Sequence, residues 1–158
     1  LGDVYKRQMF GSILSLSHAD AVLSIVLSAV VLLMFVLLYP RIFAVTFDET
    51  FAHATGTKAQ LINSVIAVLT AVTVVIGMRM MGALLISSLI IFPALTAMRV
   101  CRSFKGVVIC SAVISVVCFV IGMAASYAFE LPSGAAIVIV NIIAFAAFSF
   151  AALLKKRA

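Results

Sequence analysis

Polar residues in this chain come in short clusters that cut long apolar runs into lengths suited to a bilayer. From Ala21 to Tyr39 no charge interrupts the sequence, and Pro40-Arg41 is expected to end that span. Leu61 to Met98 is nearly continuous apolar sequence. As one helix it would reach roughly 57 Å, against a hydrocarbon core of about 30 Å. It must fold back. The break is expected in Gly77-Met78-Arg79-Met80-Met81-Gly82, which holds the only charge in the run and two glycines. That divides the run into spans near 61–77 and 82–98. Further spans are expected over 106–128 and 135–154, so the pattern predicts an all-α integral membrane fold with about five transmembrane helices.

Between the first two spans lies one well-formed polar element, Phe47-Asp48-Glu49-Thr50-Phe51-Ala52-His53-Ala54-Thr55-Gly56. Asp48 suits an N-cap, Glu49 suits the positive end of a helix dipole, and Gly56 suits the left-handed residue that closes a helix. Phe47, Phe51 and Ala54 fall at i, i+4 and i+7 and are expected to form one apolar face. A helix of about two turns does not hold itself together in water, so it must dock on something. The plainer alternative is a capped loop between two spans.

Composition agrees with the pattern. Of the 158 residues, 66% are apolar and 10% are charged, against about a quarter charged in soluble domains. The formal charge of +6 sits in short clusters between apolar runs, which points to membrane orientation and not to nucleic acid. Leaving aside the first eight residues, every Lys and Arg except Arg79 lies in 41–58, 99–105 or 155–157. The positive-inside rule puts those segments and the C-terminus in the cytoplasm, with the 77–82 and 130–134 turns outside. Cys110 and Cys118 lie inside an apolar run and read as small hydrophobes, not as a disulfide or metal pair. Ser111, Ser115, Gly122 and Ser126 are small residues suited to close helix contact. Residues 1–8 are unlike the rest and look like a translated adapter, with native sequence expected from Met9 or Phe10. The transmembrane domain is then 9–154, followed by a basic tail over 155–158.

Four segments occur in order: Phe10-Gly11-Ser12-Ile13-Leu14; Phe47-Asp48-Glu49-x-x-Ala52-x-x-x-Gly56; Gly82-x-Leu84-Leu85-Ile86-Ser87-Ser88-Leu89-Ile90-Ile91-Phe92-Pro93-Ala94-x-Thr96-Ala97; and Leu131-Pro132-Ser133-Gly134. Together they resemble the permease subunit of ABC importers for zinc, manganese and iron, over about 9–154 and as the C-terminal part of such a chain. The resemblance implies a permease homodimer in a bacterial-type inner membrane. It would receive a divalent metal ion from an extracytoplasmic binding protein and pass it inward as cytoplasmic ATPase subunits hydrolyse ATP. It also implies that Asp48, Glu49, Ala52 and Gly56 belong to a short cytoplasmic coupling helix. Gly82, Pro93, Thr96, Pro132 and Gly134 would shape the pathway. The chain itself would bind no cofactor, and with no Gly-rich phosphate loop ending in Lys it would not be the ATPase. The related siderophore and cobalamin permeases share a Glu-x-Pro-x-Gly turn like Glu130–Gly134. They usually show Pro-His followed by Arg where this chain reads Pro93-Ala94-Leu95-Thr96-Ala97, which favours the metal-ion class.

Metal-ligating side chains are scarce. None of the five spans carries an internal carboxylate or histidine. That counts against a secondary transporter, which needs intramembrane ionisable groups. A structural membrane subunit without transport activity is the other alternative. His18 and Asp20 sit two residues apart at the external mouth of the first span. They read as a surface imidazole beside a Ser17-to-Asp20 helix cap, or as transient ligands for an arriving cation. His53 is expected to be a surface or partner contact, and Asn63 and Asn141 hydrogen-bonders between helices.

Overall fold

A computed structural model describes residue 2 and residues 16–157. The segment Phe10–Leu14 and, apart from Gly2, the adapter-like residues 1–8 lie outside the described residues. Among the described residues six helices of more than one residue follow one another: α1 (His18–Phe47), α2 (Glu49–Ala54), α3 (Ala59–Met81), α4 (Ala83–Val100), α5 (Phe104–Phe129) and α6 (Ser133–Arg157). All but α2 are long and apolar enough to cross a membrane, which gives the five spans expected. Most large apolar side chains on them are exposed, as suits helices whose solvent is lipid and whose backbone groups are satisfied internally.

Two boundaries differ from expectation. The first apolar run does not stop at Pro40, because α1 continues through it to Phe47. Proline's fixed φ is compatible with a helix, but at this position it removes one N–H donor and its ring crowds the Val36 carbonyl. The turns beyond it are held by packing, with Ile42 and Val45 buried. At 30 residues α1 is roughly 45 Å long, so one end projects past a bilayer core. The fold-back after the third helix is also narrower than expected. Gly77 and Arg79 remain helical and Gly82 alone breaks the chain, with φ +87°. Gly77 has a different task. A Cβ there would lie 2.6 Å from the Ile86 side-chain tip, so its bare Cα lets the end of α3 approach the start of α4.

The described chain forms two compact units, residues 16–76 and residues 77–157. In the second, α4, α5 and α6 each pack on the other two. The α5–α6 contact is centred on Gly122, where an added Cβ would lie 2.6 Å from the Ile137 Cα. Gly122 is thus the close-contact residue among the small ones expected on α5, and buried Cys118 lies one turn before it. Leu85, Thr96, Ala97, Ile137 and Asn141 are among the other buried residues of this unit.

Candidate functional site

The polar element between the first two spans is built in the first unit. Asp48 has an extended backbone, φ −152° and ψ 97°, and serves two helices at once. Its N–H donates to the Ala44 carbonyl at 3.0 Å and closes α1. Its carboxylate accepts from the Phe51 N–H at 2.9 Å and opens α2. A single residue therefore joins the two helices, and α2 follows the end of α1. Glu49, in the first turn of α2, accepts a 3.5 Å hydrogen bond from the Asn63 amide on α3. The short helix is joined directly to α1 and reaches α3 through one long, exposed hydrogen bond.

Its other end is a Schellman turn. The Thr57 N–H donates to the Ala52 carbonyl at 2.9 Å and the Gly56 N–H to the His53 carbonyl at 3.1 Å. Gly56 supplies the left-handed residue, φ +79°, and nothing lies within 4 Å of where its Cβ would be. Its role is conformational, not close approach.

The three positions of the expected apolar face lie on the exposed side of the chain, and the side of α2 that the chain buries is a different one. Ala52 is fully buried, whereas Phe47 and Phe51 are 66% and 61% exposed and Ala54 is exposed. Ala52 does not offer a shallow outward contact face. It is the small residue that lets α2 lie down on the chain, and the outward surface is Phe51 with Glu49, Thr50 and His53. A two-turn helix has only one side to bury, and its smallest apolar residue gives the closest seat. Nothing in the sequence separates Ala52 from Ala54, which is likewise flanked by a bulky residue, Phe51, and a polar one, Thr55.

The pathway candidates lie in the second unit. Gly82 is buried and its positive φ starts α4 without a side-chain cap. Pro93 and Thr96 are buried on one helix, and the Thr96 hydroxyl donates to the Phe92 carbonyl at 2.7 Å. Pro132 is exposed, and its carbonyl accepts the Ala136 N–H at 3.1 Å to begin α6; Gly134 is buried in the first turn. The turn before it is tight: Glu130 is left-handed at φ +53°, and the Ser126 hydroxyl donates to the Leu131 carbonyl at 2.7 Å. Sequence reasoning missed Ser88. Its Oγ and the Oδ1 of Asn141 are buried with no hydrogen-bond partner among the described residues, although Asn141 Nδ2 donates to the Ile137 carbonyl of its own helix at 2.9 Å. Asn141 thus bonds within α6, not between helices.

His18 and Asp20 occupy the first turn of α1, where the Ser17 hydroxyl accepts from the Ala19 N–H at 3.1 Å. Among the described residues no three His, Cys, Asp or Glu side chains gather where they could hold a metal ion.

The model of the ABC 3 transport family matches residues 4–152. The manganese transport system membrane protein MntC of Listeria monocytogenes is 29% identical over 144 residues, 90% of this chain and 51% of that protein. A probable iron transport system membrane protein of Haemophilus influenzae is 28% identical over 133 residues, 84% of this chain and 49% of that one. A solved structure of PsaBC from Streptococcus pneumoniae in complex with Fab superposes with a TM-score of 0.85 at 26% identity, over 93% of this chain and 53% of that one. This chain therefore spans about half the length of the relatives it matches. With five membrane-length helices and a family match over nearly all its residues, the chain belongs to the ABC 3 transport family.

Proposed function

We propose that this chain is part of the permease of an ATP-driven importer of a divalent metal ion, manganese or iron foremost, with zinc in the same class. The observation that carries the reading is the construction of α2: capped at both ends, seated on Ala52, tied to both adjacent spans and presenting Phe51 outward. Such an element suits the transmission of force. A cytoplasmic ATPase subunit grips the outward face. When two ATPase subunits close on ATP, α2 moves with them, and Asp48 and the Glu49–Asn63 bond pass the motion to α1 and α3. Asp48, Glu49 and Gly56 keep α2 rigid, Ala52 seats it, and Phe51 contacts the partner.

The remaining parts of the mechanism belong to the same proposal. The permease works as a homodimer that alternates access between an extracytoplasmic metal-binding protein and the cytoplasm. ATP hydrolysis resides in the separate ATPase subunit. The basic segments 41–58, 99–105 and 155–157 face the cytoplasm, as does the C-terminus. Gly82, Pro93, Thr96, Pro132 and Gly134 shape the moving helices, and His18 and Asp20 lie at the external mouth. The manganese and iron names of the relatives favour a bare metal ion over a siderophore or cobalamin.

The test is uptake of radioactive manganese or iron by cells lacking their own importers. The full-length permease is supplied with its ATPase subunit, and then with an ATPase variant that binds but does not hydrolyse ATP. Accumulation only with the active ATPase supports the proposal. Equal accumulation with both would make the chain an ATP-independent carrier.

A further inference from the structure

In the first unit a cleft of about 590 Å³ opens between α1 and α3. Its two walls have the same design. On α1 the stripe is Met34, Leu38 and Arg41; on α3 it is Val65 and Leu61, with Lys58 just before the helix begins. The charges stand at one end and the aliphatic side chains below them. Seven residues separate Arg41 from Met34 and Lys58 from Val65, a depth of roughly 10 Å on each wall. That is within the about 15 Å of one leaflet's hydrocarbon. The lining holds two cations and no carboxylate. The positive end of the α3 dipole lies at the same mouth.

The geometry points to a binding site for an anionic phospholipid of the cytoplasmic leaflet. Its phosphate sits between the Arg41 guanidinium and the Lys58 ammonium, and one acyl chain lies against Met34, Leu38, Leu61 and Val65. Charge complementarity selects the occupant. Arg41 and Lys58 are exposed at the mouth, so a purely apolar partner leaves both without a counter-charge, and a free anion leaves the aliphatic walls uncovered. The leaflet assignment rests on the orientation proposed above, whereas the lipid chemistry rests on the cleft alone.

The test uses the full-length permease, purified in neutral detergent, stripped of lipid and titrated in native mass spectrometry with dioleoylphosphatidylglycerol, dioleoylphosphatidylcholine or inorganic phosphate. Thermal melting is recorded alongside to show that each variant is folded. The expected result is a one-to-one phosphatidylglycerol adduct that inorganic phosphate does not displace, with weaker phosphatidylcholine binding. Arg41→Gln or Lys58→Gln should weaken it roughly 5-fold and the double change roughly 30-fold. Leu61→Trp, which fills the cleft and keeps both charges, should also weaken it. A paired Lys155→Gln, Lys156→Gln change, which removes equal charge elsewhere, should not.

Any of four results would overturn the site. These are no adduct on the folded chain, as when another part of the permease fills the cleft; full displacement by phosphate; unchanged affinity in the double variant; or equal loss from the tail change. No ATPase and no transport enter the assay, so its failure leaves the importer reading untouched.

Discussion

At the scale of single residues, glycine positions separate shape from space. At Gly122 an added methyl group meets the Ile137 backbone at 2.6 Å, which no rotamer change relieves. Gly122→Ala should cost about 1–3 kcal/mol, read as earlier thermal unfolding in detergent. At Gly77 the obstacle is the tip of Ile86, which can turn aside, and alanine favours the helix. Gly77→Ala should stay within about 1 kcal/mol of the parent. An unchanged unfolding temperature for Gly122→Ala would contradict the α5–α6 contact described. At Gly56 there is room but a positive φ, so Gly56→Asn should keep the parent's unfolding temperature and ATPase binding better than Gly56→Val.

At the scale of elements, the hydrophobic pattern made all five spans and the short helix legible, because each is bounded by charge or glycine. Its errors share a cause. Composition marks where an uncharged run ends, not where the helix ends, so the stop placed at Pro40 falls inside a continuing helix. Periodicity grouped Phe47, Phe51 and Ala54 on one apolar face but did not say which side of α2 the chain itself would bury. In so short a helix the close seat belongs to Ala52, and the large rings are left outside. Which small residue makes a contact was not legible either, since Ser111, Ser115 and Gly122 look alike until a neighbouring helix is in place. Pro93 gives a prediction at this scale. It is buried in α4 and leaves the Leu89 carbonyl without its usual amide donor. Pro93→Leu should preserve membrane insertion and reduce metal uptake at equal expression. Undiminished uptake would show that the irregularity in α4 has no part in transport.

At the scale of the whole molecule, the proposal depends on sidedness and on a partner. Single cysteines at Ser103 and Lys156, in a background without Cys101, Cys110 and Cys118, should be shielded from impermeant maleimide in intact cells. One at Ser133 should label. Labelling at Ser103 from outside would put α2 on the wrong side for a cytoplasmic ATPase. The most direct measurement is the amount of ATPase subunit retained per permease after purification in detergent, compared across α2 variants at equal membrane abundance. Phe51→Arg changes the outward face without entering the Ala52 seat, so it should lose most of the ATPase while the permease unfolds at its original temperature. Asp48→Ala removes a cap worth about 1 kcal/mol and should lose less. His53→Ala should lose least. Full retention of the ATPase by Phe51→Arg would contradict the account, because α2 would then be a capped loop and not the element through which ATP drives transport.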